Sequence, residues 1–360
     1  MSFTEFWLPG PQGTQFYTRT YDPSLSRDRE LASTSTPGSK PKAAIVFVHG
    51  FIEHIARYEH VFSKWAQRGF LVFAYDQRGF GRTALGDVGA GETKTQAGNT
   101  GGKSNDSAYG KTSWAEQIKD IEWAVGHVRR EVLHETENNT TPIFLYGHSM
   151  GGALVLAYAT SLISPASSSP SSSSPLPISG VISTSPLLAQ TKPAARAARW
   201  IGGKAARMAP WMLIPAEVKA QDLSHDPAVA EAYINDPLVK YFGSLKGIST
   251  MLDGGEAVLR EGYKCWPVDL PLLIVHGTAD KVTSHDASYN FHQKIEAHDK
   301  TYSSYTDGFH ELHNEPNGVK ERLIEESIAW VEARVKVEGG SGSDEKQRSS
   351  IGSGVPASKL

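Results

Sequence analysis

Cysteine, an excess of either charge and long apolar runs are all scarce in this sequence of 360 residues. The single cysteine, Cys265, excludes an intrachain disulfide, so the fold must hold by packing alone. Lys and Arg number 36 against 39 for Asp and Glu, which leaves no electrostatic case for a nucleic acid partner. No window approaches the ~20 consecutive apolar residues of a membrane-spanning helix. The opening stretch "MSFTEFWLPG" lacks a basic segment followed by an apolar core and does not read as a secretory signal. The Asn-x-Ser/Thr matches at Asn105, Asn138 and Asn139 are therefore expected to stay unglycosylated.

What the sequence does have is alternation. "QFYTRTYD" (15–22), "AAIVFVHG" (43–50), "FLVFAYD" (70–76), "PIFLYG" (142–147), "ISGVISTSP" (178–186), "PLLIVHG" (271–277) and "TYSSYT" (301–306) read as strands. Between and after them, helical spacing of apolar residues appears over 57–69, 113–132, 151–163 and 318–337. Strands alternating with helices predict an α/β fold, a mostly parallel sheet covered by helices on both faces. Three segments break the rhythm: 84–111, 164–177 and everything after 338 are polar and poor in core formers, and read as solvated loops and a tail. About 85 residues separate Pro186 from Pro271, too many for a plain connection, and they predict an inserted helical cap. The expected organisation is a core over 1–186, a cap over 187–265, the rest of the core over 266–337 and a tail over 338–360.

"LYGHSMGG" (145–152) places Ser149 between Gly147 and Gly151, after a strand and before a helix. That is a nucleophile elbow, a turn too tight for flanking side chains, which leaves the hydroxyl standing at the carboxyl edge of the sheet. A serine hydroxyl needs a base, and the base a carboxylate to orient it. In chain order Ser, acid, His, the loop after "LLIVHG" supplies Asp280 and the loop after "YSSYT" supplies His310. Asp286 competes as the acid but falls within a helical pattern, and His313 competes as the base from the start of another. His310 and His313 make a poor metal site because no third ligand lies near. Donors for the developing oxyanion are expected from the backbone N–H groups of Met150 and Phe51. His148 reads as a packed structural residue, and no metal or organic cofactor is required.

These residues resemble the monoacylglycerol lipase family of α/β hydrolases, especially its fungal members, from about residue 40 to 330. The motifs are "HGFIEHIARYEH", "FAYDQRGFGRT" (with Thr83 where serine is usual), "GHSMGG", "DPLV" at 236–239, "GTADKVT" and "FHELHNE". The resemblance implies the Ser149, Asp280, His310 triad, the Phe51 and Met150 oxyanion hole, and hydrolysis of monoacylglycerol to fatty acid and glycerol. It also implies that Glu53, Arg57 and His313 hold the glycerol head group. A salt bridge between Glu53 and Arg57 that fixes the loop is the plainer reading, and the two are compatible. Members usually carry a smaller residue at Phe51, whose bulk here narrows the pocket. A broader carboxylesterase or lysophospholipase shares the same triad, and a non-catalytic ligand receptor shares the fold. An epoxide hydrolase or dehalogenase would need a carboxylate where Ser149 stands.

Two further features point to location. "AARAARWIGGKAARMAPWMLIP" (194–215) interleaves Arg196, Arg199, Lys204 and Arg207 with Trp200, Trp211 and Met212. Basic and aromatic residues on one helix suit a lipid surface, the line of an acyl tunnel, or a lid packed on its own domain. The last letters, Ser358, Lys359 and Leu360, read as an address for the peroxisomal import receptor, alongside a cytosolic or lipid-droplet location.

Overall fold

The structure is a computed structural model that describes residues 3–25, 40–87, 108–134, 141–163 and 177–335. Its strands are β1 (Thr4–Pro9), β2 (Gln15–Tyr21), β3 (Ala44–Val48), β4 (Leu71–Tyr75), β5 (Ile143–His148), β6 (Gly180–Thr184), β7 (Leu213–Pro215), β8 (Phe242–Ser244), β9 (Leu272–Gly277) and β10 (Lys300–Tyr305). Its helices are α1 (Glu59–Gln67), α2 (Gly81–Leu85), α3 (Trp114–His127), α4 (Met150–Ser161), α5 (Arg196–Met208), α6 (Pro227–Ile234), α7 (Leu245–Arg260), α8 (His285–Lys294) and α9 (Val319–Glu332).

Eight strands form one sheet in the order β1-β2-β4-β3-β5-β6-β9-β10. β2 pairs antiparallel with β1 and β4, and every other neighbour is parallel. Parallel strands need both faces covered, and β3 shows how the sequence does it. Ala44, Val46 and Val48 enter one apolar layer, with Ile121 of α3, Leu154 of α4 and Phe291 of α8. Ile45 and Phe47 enter the opposite layer, with Phe62 and Trp65 of α1 and Ile328 and Val331 of α9. The period of two along the strand thus feeds two separate cores. α4 is apolar on all sides and buried from Met150 to Ala159, as a helix sealed between sheet and neighbours must be.

The α/β architecture follows the sequence pattern, with local differences. β1 pairs along the sheet edge although "TEFWLP" carries little strand signal. The 113–132 helix turns into a π-type turn over Val128–Val132. The 84–111 segment is not simply a solvated loop. Its described ends are core: Leu85 and Tyr109 are buried, the Tyr109 hydroxyl accepts the Lys240 N–H at 2.9 Å, and the Gly110 carbonyl accepts the Ser244 N–H at 3.0 Å. One aromatic ring outweighs the polar composition around it. Residues 88–107, 164–176 and 336–360, including Ser358, Lys359 and Leu360, lie outside the described residues.

The 187–265 stretch contains α5, α6, α7 and the antiparallel pair β7–β8. α7 sends Met251 and Val258 into the main core, while Leu223, Tyr233 and Val239 form a small cluster of their own. Asp236, in the "DPLV" stretch, accepts from His54 Nε2 at 2.7 Å, which ties the cap to the loop after β3.

Candidate active site

Ser149 sits at the step from β5 into α4 with φ 56° and ψ −118°, a conformation that costs a non-glycine residue ~1–3 kcal/mol. The surroundings impose it. The Ser149 N–H donates to the Thr184 carbonyl at 3.0 Å, and its carbonyl accepts the N–H groups of Leu187 at 2.9 Å and Ala153 at 3.0 Å. A Cβ at Gly147 would strike the Gly151 carbonyl, and one at Gly151 would strike the Val48 carbonyl, so both flanking positions require glycine.

The loops after β9 and β10 bring the other two groups to this point. His310 Nε2 lies 3.0 Å from Ser149 Oγ, and His310 Nδ1 lies 2.7 Å from Asp280 Oδ2. All three residues are buried. The Asp280 carboxylate is saturated: Oδ1 accepts the N–H groups of Val282 at 2.7 Å and Thr283 at 2.9 Å, and the Thr283 hydroxyl lies 2.8 Å from Oδ2. Burial alone would raise Asp280, but the neighbouring imidazole of His310 and the bond from His276 hold it well below the carboxylate range. Burial pulls His310 down; the adjacent Asp280 carboxylate overrides it and lifts the imidazole above its ordinary value. Such a dyad can take a proton from the serine hydroxyl and keep the resulting imidazolium.

The rivals are placed elsewhere. Asp286 projects from α8 with its side chain 95% exposed. His313 is not among the residues that line the cavity with Ser149, Glu53 and Arg57. It is buried, its ring stacked 4.5 Å from Tyr58 and set edge-on 4.8 Å from His148. It sits within a 3-10 turn over Leu312–Asn314. His148 is buried with its Nδ1 3.1 Å from Thr184 Oγ1, and burial holds its imidazole well below the usual value.

The loop after β3 closes the other side. His49 Nε2 accepts the Gln77 N–H at 2.8 Å, so its Nδ1 carries the hydrogen that donates to the Gly50 carbonyl at 2.8 Å. Gly50 presses against the serine: a Cβ there would sit 3.1 Å from Ser149 Cβ. The Gly50 N–H is taken by Glu53, and Phe51 lines the same cavity as Ser149. Met150 is the first residue of α4, where backbone N–H groups have no partner inside the helix.

Glu53 and Arg57 face the same cavity as Ser149. Arg57 makes a two-pronged bond to Glu311, Nη1 to Oε1 at 2.7 Å and Nη2 to Oε2 at 2.9 Å, and Nη1 also reaches Glu53 Oε2 at 2.9 Å. Burial pushes Glu53 up, while the Arg57 guanidinium outweighs burial at Glu311 and holds it down. Glu311 stands within "FHELHNE", but its pairing with Arg57 could not be read from the letters because the two stand 254 positions apart. Tyr233 of the cap lays its ring 4.9 Å from the Arg57 guanidinium and, with Val218 and Leu223, roofs the cavity. The space left is about 20 Å³, room for about one water.

On the outer surface of the cap, Trp200, Trp211 and Met212 are 66%, 41% and 50% exposed, with Ile201 and Met208 beside them. Lys204 lies over the Trp200 ring at 5.3 Å and Lys246 over Trp211 at 4.6 Å, around an open groove of about 710 Å³ that Arg207 also lines. Among the described residues no cluster of His, Cys, Asp and Glu is arranged to hold a metal, and no helix is long and apolar enough to cross a membrane.

Strand order, elbow and the Ser, Asp, His geometry define an α/β-hydrolase, and the chain belongs to the family described as Serine aminopeptidase, S33, whose profile matches residues 39–317. Among similar proteins, one of Schizosaccharomyces pombe, provisionally named a monoglyceride lipase, is 32% identical over 299 residues, covering 81% of this chain and 68% of that one. The monoacylglycerol lipase of Mycolicibacterium smegmatis is 28% identical over 303 residues, 82% of this chain and 90% of its own. In structure, a soluble variant of monoglyceride lipase from Saccharomyces cerevisiae, solved with a substrate analog, shares the fold with a TM-score of 0.72 at 20% identity, over 94% of this chain and 97% of that one.

Proposed function

We propose that this chain is a monoacylglycerol lipase that works through an acyl-enzyme on Ser149. The observation that carries the reading is the unbroken path from Ser149 Oγ to His310 at 3.0 Å and from His310 to Asp280 at 2.7 Å, inside a cavity that Glu53 and Arg57 also line. The relatives named as monoglyceride and monoacylglycerol lipases support the substrate. His310 takes the Ser149 proton as the oxygen attacks the ester carbonyl, while Asp280 stabilises the imidazolium. The N–H groups of Phe51 and Met150 receive the oxyanion. Glycerol leaves with the proton returned by His310, and water then releases the fatty acid by the same route. Glu53 and Arg57 present a carboxyl and a guanidinium to the glycerol hydroxyls.

The family description names an aminopeptidase, which must hold a free ammonium group. Both acids at this site, Glu53 and Glu311, are already bonded to Arg57, so the polar wall suits a neutral polyol better than a cation. Ser149→Ala should abolish ester turnover and labelling by a fluorophosphonate. A panel of mono-, di- and triacylglycerols, lysophospholipids and p-nitrophenyl esters separates the reading from a broad carboxylesterase: Glu53→Gln should depress monoacylglycerol turnover far more than that of p-nitrophenyl ester.

The exposed Trp200, Trp211 and Met212, framed by Lys204, Arg207 and Lys246, support transient docking of the cap on a membrane or lipid droplet. With Leu360 as the terminal residue of the mature protein, Ser358, Lys359 and Leu360 would address it to peroxisomes. A fluorescent fusion that keeps the tail should then give puncta that disappear when Leu360 is deleted.

A further inference from the structure

Asp280 is gripped by two imidazoles. His276 Nε2 lies 3.1 Å from Asp280 Oδ2, the same oxygen that meets His310, and 3.2 Å from the Thr283 carbonyl. His276 is the penultimate residue of β9 and has no exposure to solvent. An ionised carboxylate and a carbonyl only accept hydrogen bonds, so the ring hydrogen of His276 sits on Nε2 and is shared between them. Its Nδ1 lies 2.7 Å from Ser288 Oγ, which lies 2.8 Å from the Tyr302 hydroxyl. In the neutral ring Nδ1 accepts from Ser288, and the Ser288 oxygen accepts from Tyr302. The alternative acceptor for Ser288, the His285 carbonyl at 2.9 Å, would leave Nδ1 with no donor.

The other support of Oδ2 is divided. The Thr283 hydroxyl has one hydrogen and two acceptors, Asp280 Oδ2 at 2.8 Å and the Ser185 carbonyl at 3.0 Å. His276 has no such distraction toward a distant element, because its second acceptor belongs to the same loop.

We propose that His276 is a positioning residue for hydrolysis: its Nε2–H fixes Asp280 Oδ2 at the point where His310 reaches it, and Ser288 with Tyr302 fixes His276 in turn. The proposal rests on the assignment of Ser149 as nucleophile. His276 touches no reacting atom, so it acts on kcat and leaves substrate binding alone.

The test compares steady-state kinetics of three variants with the wild type. His276→Phe keeps a buried ring without the donor; kcat should fall about tenfold, the worth of one bond to a charged group, with KM within about twofold. His276→Gln restores an amide N–H where Nε2 stood and should return kcat to within about threefold of wild type. Ser288→Ala keeps the imidazole and loosens it, and kcat should drop severalfold at constant KM. Wild-type kcat in His276→Phe, or equal losses in the Phe and Gln variants, overturns the proposal. If His276→Phe does not fold, Ser288→Ala decides alone: an unchanged kcat is fatal to the idea. Fluorophosphonate labelling of the wild type keeps the two readings apart, since its absence at Ser149 strikes the hydrolytic assignment and not the role of His276.

Discussion

At the scale of single residues, the site runs on charges held out of water. His310 must be neutral to accept the serine proton, and its imidazole is lifted above the ordinary value of 6.5 by Asp280. Activity should therefore climb with pH and reach half its plateau above pH 6.5; a kcat/KM profile on a soluble ester checks this. Arg57 serves Glu53 and Glu311 together, all three nearly sealed from solvent. Arg57→Met would strand two buried carboxylates and should cost ~3–5 kcal/mol of stability in a denaturant titration. The loss should deepen as pH rises, because without the guanidinium both acids bind protons more tightly when folded than when unfolded. Ser149, Asp280 and His310 were legible because each follows a strand at a motif with fixed chain order. Glu311, His276 and Thr283 were not, because what they do depends on partners that only the folded loops bring near. His313 matches its motif by letter, while its stack on Tyr58 and its edge-on contact with His148 are features the letters do not carry.

At the scale of elements, strands and helices with strong periods were readable, and their joints were not. β3, β5 and β9 are continuous apolar runs and fall where the pattern puts them. β1 depends on its partner β2, and the end of α3 loosens into a π-type turn, neither of which has a composition of its own. α5 exposes Trp200, an orientation that the interleaved basic and apolar letters left open. Replacing Trp200 and Trp211 together by Ala should reduce flotation with liposomes at least several-fold and leave hydrolysis of a soluble ester near wild type. Unchanged flotation would remove the cap from the docking account.

At the scale of the whole molecule, the α/β hydrolase sheet places three loops at one edge, and the two cores on either side hold them there. The same burial makes the fold sensitive to acid. Burial pushes His49 down to about 3 and holds His148 and His313 well below the usual value. Their unfolded counterparts take up protons as pH falls through about 6.5, so stability should decline from there downward. His310 runs the other way, and three depressed imidazoles outweigh it. Melting temperatures should fall as the pH is lowered from about 6.5 to 5.

The chamber over Ser149 has room for about one water molecule, and an acyl glycerol is many times larger. Admitting one would require Tyr233, Val218 and Leu223, which line the cavity from the cap, to lift. A lipid interface that draws Trp200 of α5 and the nearby Trp211 outward would do that lifting.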